Sequence, residues 1–288
     1  MSHAKKNSML CPNCRKLIST DEPVCPYCGL SRPGLRRIIH FFGGAGGKGG
    51  SVDVVKAIIY TNISFYILSI LLSSSAVGLS ANPLTFLSPS SKSLFLLGAT
   101  GTIPIVEFNR WWTLVSASFL HGSILHIFFN MAALGQLGPF VLREYGFYRF
   151  VIIYIVTGIG GFLISYLAHI PFTIGASGSI CGLIGAILYY GKSRGGLYGH
   201  TIYRQAMGWV VGLVIFGLLV AGINNWAHGG GLVCGILLGF LMGYREKRGE
   251  TIIHQMLAIG CILLTIALLL WTIMQAIYYH FLLSPLTP

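Results

Sequence analysis

One serine stands among small residues where almost nothing else is polar. Ser177 lies in Gly175-Ala176-Ser177-Gly178 and opens an apolar run that carries Gly182 and Gly185. No Asp, Glu, Lys or Arg occurs between Arg149 and Lys192. A serine is a weak nucleophile until a base takes its proton, and the oxyanion formed by its attack needs hydrogen-bond donors. His228, in Asn224-Asn225-Trp226-Ala227-His228-Gly229, is the candidate base. His126 and Asn130 are four apart, hence on one helix face, and are candidate oxyanion donors. The Ser177 backbone N–H, at a helix N-terminus with its positive dipole end, is a third. Glu144 and Glu246 fall at the opposite membrane side, so the unit is a Ser–His dyad with no carboxylate member. Each group has a plainer role when taken singly: a packing serine, a satisfied core histidine, an interhelical amide. Three such groups at one membrane depth point instead to a shared site.

A second constellation has different chemistry. Cys11-Pro12-Asn13-Cys14 and Cys25-Pro26-Tyr27-Cys28 are two CxxC pairs with ten residues between them. Four thiolates so spaced can enclose a tetrahedral zinc ion; a disulfide pair or free thiols are the alternatives. The segment is too short for a core of its own, so the metal would supply its folding free energy. No ligand position stays open, which makes the zinc structural.

These groups must be held by membrane helices. The chain is 54% hydrophobic and 9% charged, with mean hydropathy +0.75, far less charge than the roughly 25% of soluble domains. It is expected to be an all-α polytopic membrane protein, because apolar runs this long and continuous must form helices in lipid. Seven spans are expected, at roughly 57–77, 124–142, 148–169, 177–192, 206–223, 227–244 and 254–278. The fourth and sixth are short, as for helices buried inside the bundle. Residues 78–120, with Pro83, Pro89, Pro104, Trp111 and Trp112, suit an interfacial loop. The first residues lack the apolar core of a secretory signal.

Charge sets the orientation. Arg143, Arg149, Lys192, Arg194, Arg204, Arg245, Lys247 and Arg248 follow the even-numbered spans, whereas the opposite loops hold only Lys92 and Arg110. The positive-inside rule then places the N-terminus in the cytosol and the C-terminus outside. The net charge of +12 reflects these helix ends, not nucleic-acid binding. A reducing cytosol also suits thiolate ligation of zinc. Between the cysteines and the first span, Arg36-Arg37 and the glycine run from Gly43 to Gly50 form a basic flexible linker. Lys48 is followed by Gly49 rather than Ser or Thr, which excludes a phosphate loop.

Small residues then say which helices touch. Gly231, Gly235, Gly239 and Gly243 recur every four residues in the sixth span, and Gly178, Gly182 and Gly185 line the fourth. Such stripes let two backbones approach closely. The fourth and sixth helices should therefore meet, with Ser177 and His228 across their contact.

With these motifs the chain resembles the rhomboid intramembrane serine proteases over about residues 55–250. The resemblance rests on GxSG at Gly175–Gly178, HxxxxHxxxN at His121, His126 and Asn130, and AHxxGxxxG from Ala227 to Gly235. It implies a six-helix bundle plus one extra C-terminal helix, with Ser177 as nucleophile and His228 as general base. It implies oxyanion donors at His126, Asn130 and the Ser177 backbone, and a structural His121. The implied substrates are single-pass membrane proteins, cut near the outer end of a helix that can unwind. Two positions depart from the family pattern. Trp112 is followed by Thr113 where the family often has arginine, with Arg110 nearby, and Cys181 stands where an aromatic commonly stacks on the histidine.

The expected organisation is a zinc-ribbon-like segment at 1–31, a linker at 32–55, the protease core at 56–250 and a seventh helix with tail at 251–288. The expected activity is that of an intramembrane serine endopeptidase in a bacterial-type plasma membrane, with zinc its only cofactor, and none for catalysis. Its partners are transmembrane substrates and the bilayer, and what the ribbon binds is unknown. The rivals are a catalytically inactive rhomboid-like binding or trafficking factor, and a transporter whose glycine stripes serve helix motion.

Overall fold

The computed structural model describes residues 8–11, 14, 16–19, 22–29, 48–73, 85–220 and 222–279. The linker from Arg32 to Gly47, and Pro83, lie outside the described residues. The chain divides into two compact units, Met1–Val54 and Val55–Pro288.

The first unit is built on a small antiparallel hairpin. Strands β1 (Ser8–Leu10) and β2 (Leu17–Ser19) pair in the register Ser8 with Ser19 and Leu10 with Leu17. The turn between them closes with the Cys11 N–H donating to the Lys16 carbonyl at 2.9 Å. Cys11, Ile18 and Cys25 are buried, with Cys14 and Cys28 packed on them, a core that consists mostly of its own cysteines.

The second unit is a polytopic all-α bundle. Its long helices are α1 (Lys48–Leu71, entering this unit at Val55), α4 (Ile124–Tyr145), α5 (Phe147–Leu167), α6 (Ser177–Arg194), α7 (Gly196–Leu219), α8 (Asn225–Met242) and α9 (Ile252–Ile277). Two short helices, α2 (Ser91–Leu96) and α3 (Thr113–Ser116), lie between α1 and α4. Six of the long helices are apolar enough to cross a membrane by length and composition. The exception is α6, whose glycines and hydroxyls lower its hydropathy and whose surroundings are protein: most of its residues are buried. The short sixth span behaves differently. Helix α8 buries its glycine face (Ala227, Gly231, Gly235, Gly239) but exposes Trp226, Leu237, Phe240 and Leu241.

Two boundaries differ from expectation. Helix α1 begins at Lys48, inside the expected linker, and α7 begins at Gly196, ten residues before the expected span. Hydropathy marks only the apolar part of a helix, and both helices continue through polar residues at their N-terminal ends. The break between α6 and α7 is sharp because Gly195 and Gly196 both adopt positive φ.

The α6–α8 pair has the most extensive helix contact, with α5–α8 and α5–α6 next. A Cβ on Gly231 would overlap the Gly178 carbonyl, and one on Gly235 would overlap the Gly182 carbonyl. The two glycine stripes therefore meet backbone to backbone, as their spacing predicts. Helix α5 completes the core through Gly161, where a Cβ would lie 2.6 Å from the Ala227 carbonyl. At the other end, Glu250 accepts hydrogen bonds from the Tyr148 and Arg149 N–H groups (2.8 and 3.1 Å), and Arg149 donates to the Arg248 and Gly249 carbonyls. These bonds satisfy orphan N–H groups at the start of α5 and fix the loop between α8 and α9.

The 85–120 segment is tightly held. The Arg110 guanidinium donates to the Phe95 and Leu96 carbonyls at 2.7 and 3.3 Å and lies 4.5 Å and 4.6 Å from the Phe95 and Trp112 ring centres. It also reaches Gln275 on α9 at 3.4 Å. Burial lowers the Arg110 guanidinium to about 10, so it remains a cation at neutral pH. Thr113, standing where the family often has arginine, donates its hydroxyl to the Arg110 carbonyl at 2.6 Å. Arginine thus bonds this loop internally from a position three residues earlier.

Candidate functional site

Ser177 begins α6, and no side chain caps that helix, so the first-turn N–H groups lack the usual capping oxygen. The approach to Ser177 is pinned along its length. Thr173 and Thr100 exchange backbone hydrogen bonds at 2.7 and 3.1 Å, and the Gly175 N–H donates to the Ala117 carbonyl at 2.9 Å. Gly175 has φ +126°, a conformation that side chains rarely adopt. Space demands glycine as well. A Cβ there would lie 2.8 Å from His126 Nε2 and 3.6 Å from Ser177 Oγ. Ser177 and His126 therefore face one small volume.

The orientation of His126 follows from its own helix. The Ser123 hydroxyl caps α4 by accepting from the His126 N–H at 3.2 Å. The Gly122 N–H donates to His126 Nδ1 at 3.3 Å. A neutral imidazole whose Nδ1 accepts must carry its proton on Nε2. The donor N–H is then the one beside Gly175 and Ser177. Asn130 is buried one turn on and donates one amide hydrogen to the His126 carbonyl at 3.0 Å, which leaves the other hydrogen available. His121 is fully buried, with its ring edge-on to His126 at 4.9 Å, and neither of its nitrogens has a hydrogen-bond partner among the described residues.

His228 enters from α8. A Cβ on Gly178 would lie 3.6 Å from the Ala227 carbonyl, so the backbones touch one residue after Ser177 and one before His228. His228 Nδ1 is buried without a partner, and among the described residues no hydrogen bond joins His228 to Ser177. Ser177 and His228 thus lie in the first turns of two helices that touch there. Cys181 is buried one turn into α6. Arg143, Arg149, Arg194 and the two acids Glu144 and Glu246 form their own ion pairs and hydrogen bonds with each other and with loop carbonyls, apart from this site.

Asn224, which the sequence presents as an unremarkable residue before a helix, proves to be bonded to three elements. Its Oδ1 accepts from the Ala227 N–H at 3.1 Å, and its Nδ2 donates to Thr173 Oγ1 at 2.9 Å and to Ser165 Oγ. The only sequence signal for it is the capping preference of asparagine.

In the first unit the four thiols converge. The Sγ atoms of Cys11, Cys14, Cys25 and Cys28 all lie within 4.8 Å of one another, and none forms a disulfide. The Cys11–Cys28 and Cys14–Cys25 separations are 3.7 and 3.6 Å. Zinc–sulfur bonds of about 2.3 Å in a tetrahedron put the sulfurs about 3.8 Å apart. The donor set and its spacing thus fit a zinc ion.

Comparison with known proteins agrees with this architecture. Residues 109–245 match the rhomboid domain family. Among curated relatives, RHOMBOID-like protein 4 of Arabidopsis thaliana is 35% identical over 175 residues, 58% of this chain and 43% of the relative. RHOMBOID-like protein 6, mitochondrial, of the same plant is 33% identical over 57% of this chain and 54% of the relative. Rhomboid protease GluP of Bacillus subtilis is 34% identical over 54% of this chain and 31% of the relative. The chain spans about half the length, or less, of these relatives. The matched stretch holds Ser177, His228, His126 and Asn130 and all of the α6–α8 contact, and over residues 109–245 the chain is similar to the rhomboid domain family.

Proposed function

We propose that this protein is an intramembrane serine endopeptidase that cleaves transmembrane segments through a Ser177–His228 dyad. The observation that supports the proposal is the convergence at Gly175: Ser177 Oγ and His126 Nε2 border one volume, beside the point where the Ala227 carbonyl of α8 meets Gly178 of α6. His228 takes the Ser177 proton as Oγ attacks the scissile carbonyl. The oxyanion is received by the Ser177 N–H, His126 Nε2–H and the free Asn130 amide hydrogen. His228 then returns the proton to the leaving amine, and a water releases the acyl group by the reverse sequence. A helical substrate hides its carbonyls, so the scissile stretch must unwind first, which favours segments rich in small or helix-breaking residues. Gly178, Gly182, Gly231 and Gly235 hold the two helices close enough for the dyad to form.

The organisation proposed with this activity is a ribbon at 1–31, a linker at 32–55, the core at 56–250 and the extra helix at 251–288. The ribbon and N-terminus lie in the cytosol and the C-terminus outside, in a plasma membrane. Cys11, Cys14, Cys25 and Cys28 would hold a structural zinc that orders the ribbon and takes no part in hydrolysis.

One observation favours a second reading. The dyad has no internal hydrogen bond, which an inactive rhomboid-like binding factor would tolerate. Purified protein with a fluorescent transmembrane substrate, beside Ser177→Ala and His228→Ala, decides between them. Cleavage by the wild type and loss in both variants supports the protease; equal signal from wild type and Ser177→Ala overturns it.

A further inference from the structure

The glycine contact that brings α6 and α8 together has a mechanical weakness. Gly231 and Gly235 lie on the bare backbones of Gly178 and Gly182, so the end near Ser177 permits close approach without side chains between, whereas the aromatic packing of Tyr189 on Gly239 and Phe240 lies toward the far end of the contact. A slip of one helix along the other would move His228 past Ser177. Something must fix the start of α8 relative to the start of α6.

We infer that Asn224 is a positioning residue that sets His228 against Ser177, an inference that rests on the proposed protease reading. Its side chain is saturated in a way that few residues could copy. Oδ1 caps α8 by accepting from the Ala227 N–H, and the Asn224 carbonyl accepts from the His228 N–H at 3.3 Å. With the oxygen so committed, the amide nitrogen is identified as the donor, and its two hydrogens go to Ser165 on α5 and to Thr173. Ser165 is fully buried and Thr173 nearly so, which makes these bonds costly to lose. Thr173 is itself clamped by its two backbone bonds to Thr100, and it lies two residues before Gly175. One amide therefore links the turn carrying His228, the strand leading to Ser177, and the helix that packs on both.

The test separates this tie from helix capping. Asn224→Ser keeps a good N-cap oxygen but lacks the reach to Ser165 and Thr173. Thr173→Val removes one acceptor without touching the cap, and Thr173→Ser restores it. Steady-state cleavage of a fluorescent transmembrane substrate would be measured for each, with melting temperature in detergent. The remote buried variant Thr272→Val serves as a stability control and Ser177→Ala as the inactive reference.

The expected result is a kcat drop of about tenfold or more in Asn224→Ser and Thr173→Val, with KM within about twofold, and a wild-type rate in Thr173→Ser. Asn224→Ser with wild-type kcat overturns the positioning role while leaving the protease intact. So does a loss no larger than that of Thr272→Val at a matched fall in melting temperature. A wild type indistinguishable from Ser177→Ala overturns the protease reading and this inference with it.

Discussion

At the scale of residues, the proposed oxyanion region has the strictest geometry. His126 Nε2 carries the proton because Nδ1 is occupied by the Gly122 N–H, and only a glycine at 175 leaves that donor room. Replacing His126 with alanine removes one donor, and kcat is expected to fall about 10²–10³-fold with little change in KM. Gly175→Ala should be as damaging for a different reason. Its Cβ would press on His126 Nε2 at 2.8 Å, and its backbone would be held at φ +126°. Steady-state kinetics on both variants checks this; a Gly175→Ala enzyme with wild-type kcat would show that His126 does not share a volume with the reacting groups. Cys181 offers a gain instead of a loss. It is buried one turn along α6 from the nucleophile, where the family commonly has an aromatic residue that stacks on the histidine. His228 Nδ1 has no hydrogen-bond partner among the described residues.

At the scale of elements, glycine on α8 is either structural or idle depending on its face. A Cβ on Gly235 would collide with the Gly182 carbonyl, whereas one on Gly229 meets nothing within 4 Å. Gly235→Ala should therefore cost on the order of 1–3 kcal/mol by overpacking. Gly229→Ala should be neutral or add up to about 1 kcal/mol of helix propensity. Unfolding titrations in mixed detergent micelles compare the two directly, and equal stabilities would mean that α6 and α8 are not in backbone contact. Much of this was legible in advance, because a polar group or a four-residue glycine period is conspicuous in an apolar run. Ser177, His228, His126 and the α6–α8 contact all announced themselves that way. Asn224 did not, since its partners lie 59 and 51 residues away and serine and threonine are ordinary in such segments. Arg110 was visible only as an arginine near the position where the family often has one, and its bonds to the Phe95 and Leu96 carbonyls, 15 and 14 residues away, come from the fold. The starts of α1 and α7 were misjudged because hydropathy reports the lipid-facing part of a helix and not where its hydrogen bonds begin.

At the scale of the whole molecule, the ribbon and the charged loops must agree on sidedness. Four thiols within 4.8 Å of one another would oxidise readily in an oxidising compartment, so a zinc-filled ribbon belongs on the reducing side. The positive-inside rule predicts that same side for the loops that carry Arg143, Arg194, Arg245, Lys247 and Arg248. Single cysteines can test both at once. Phe108→Cys would place a thiol at an exposed position in the segment before α4, and Arg245→Cys one at an exposed position after α8. A membrane-impermeant maleimide added to intact cells should label the first and spare the second until the membrane is permeabilised. Metal analysis of the purified protein should find about one zinc per chain, lost in a Cys11→Ser, Cys25→Ser double variant. Because the cysteines belong to a compact unit that ends at Val54, before all but the start of α1, that double variant should keep the wild-type melting transition of the bundle. Labelling of Arg245→Cys from outside would invert the topology and put Ser177 at the cytosolic end of its helix. The protease would then have to draw substrates from the opposite side of the membrane.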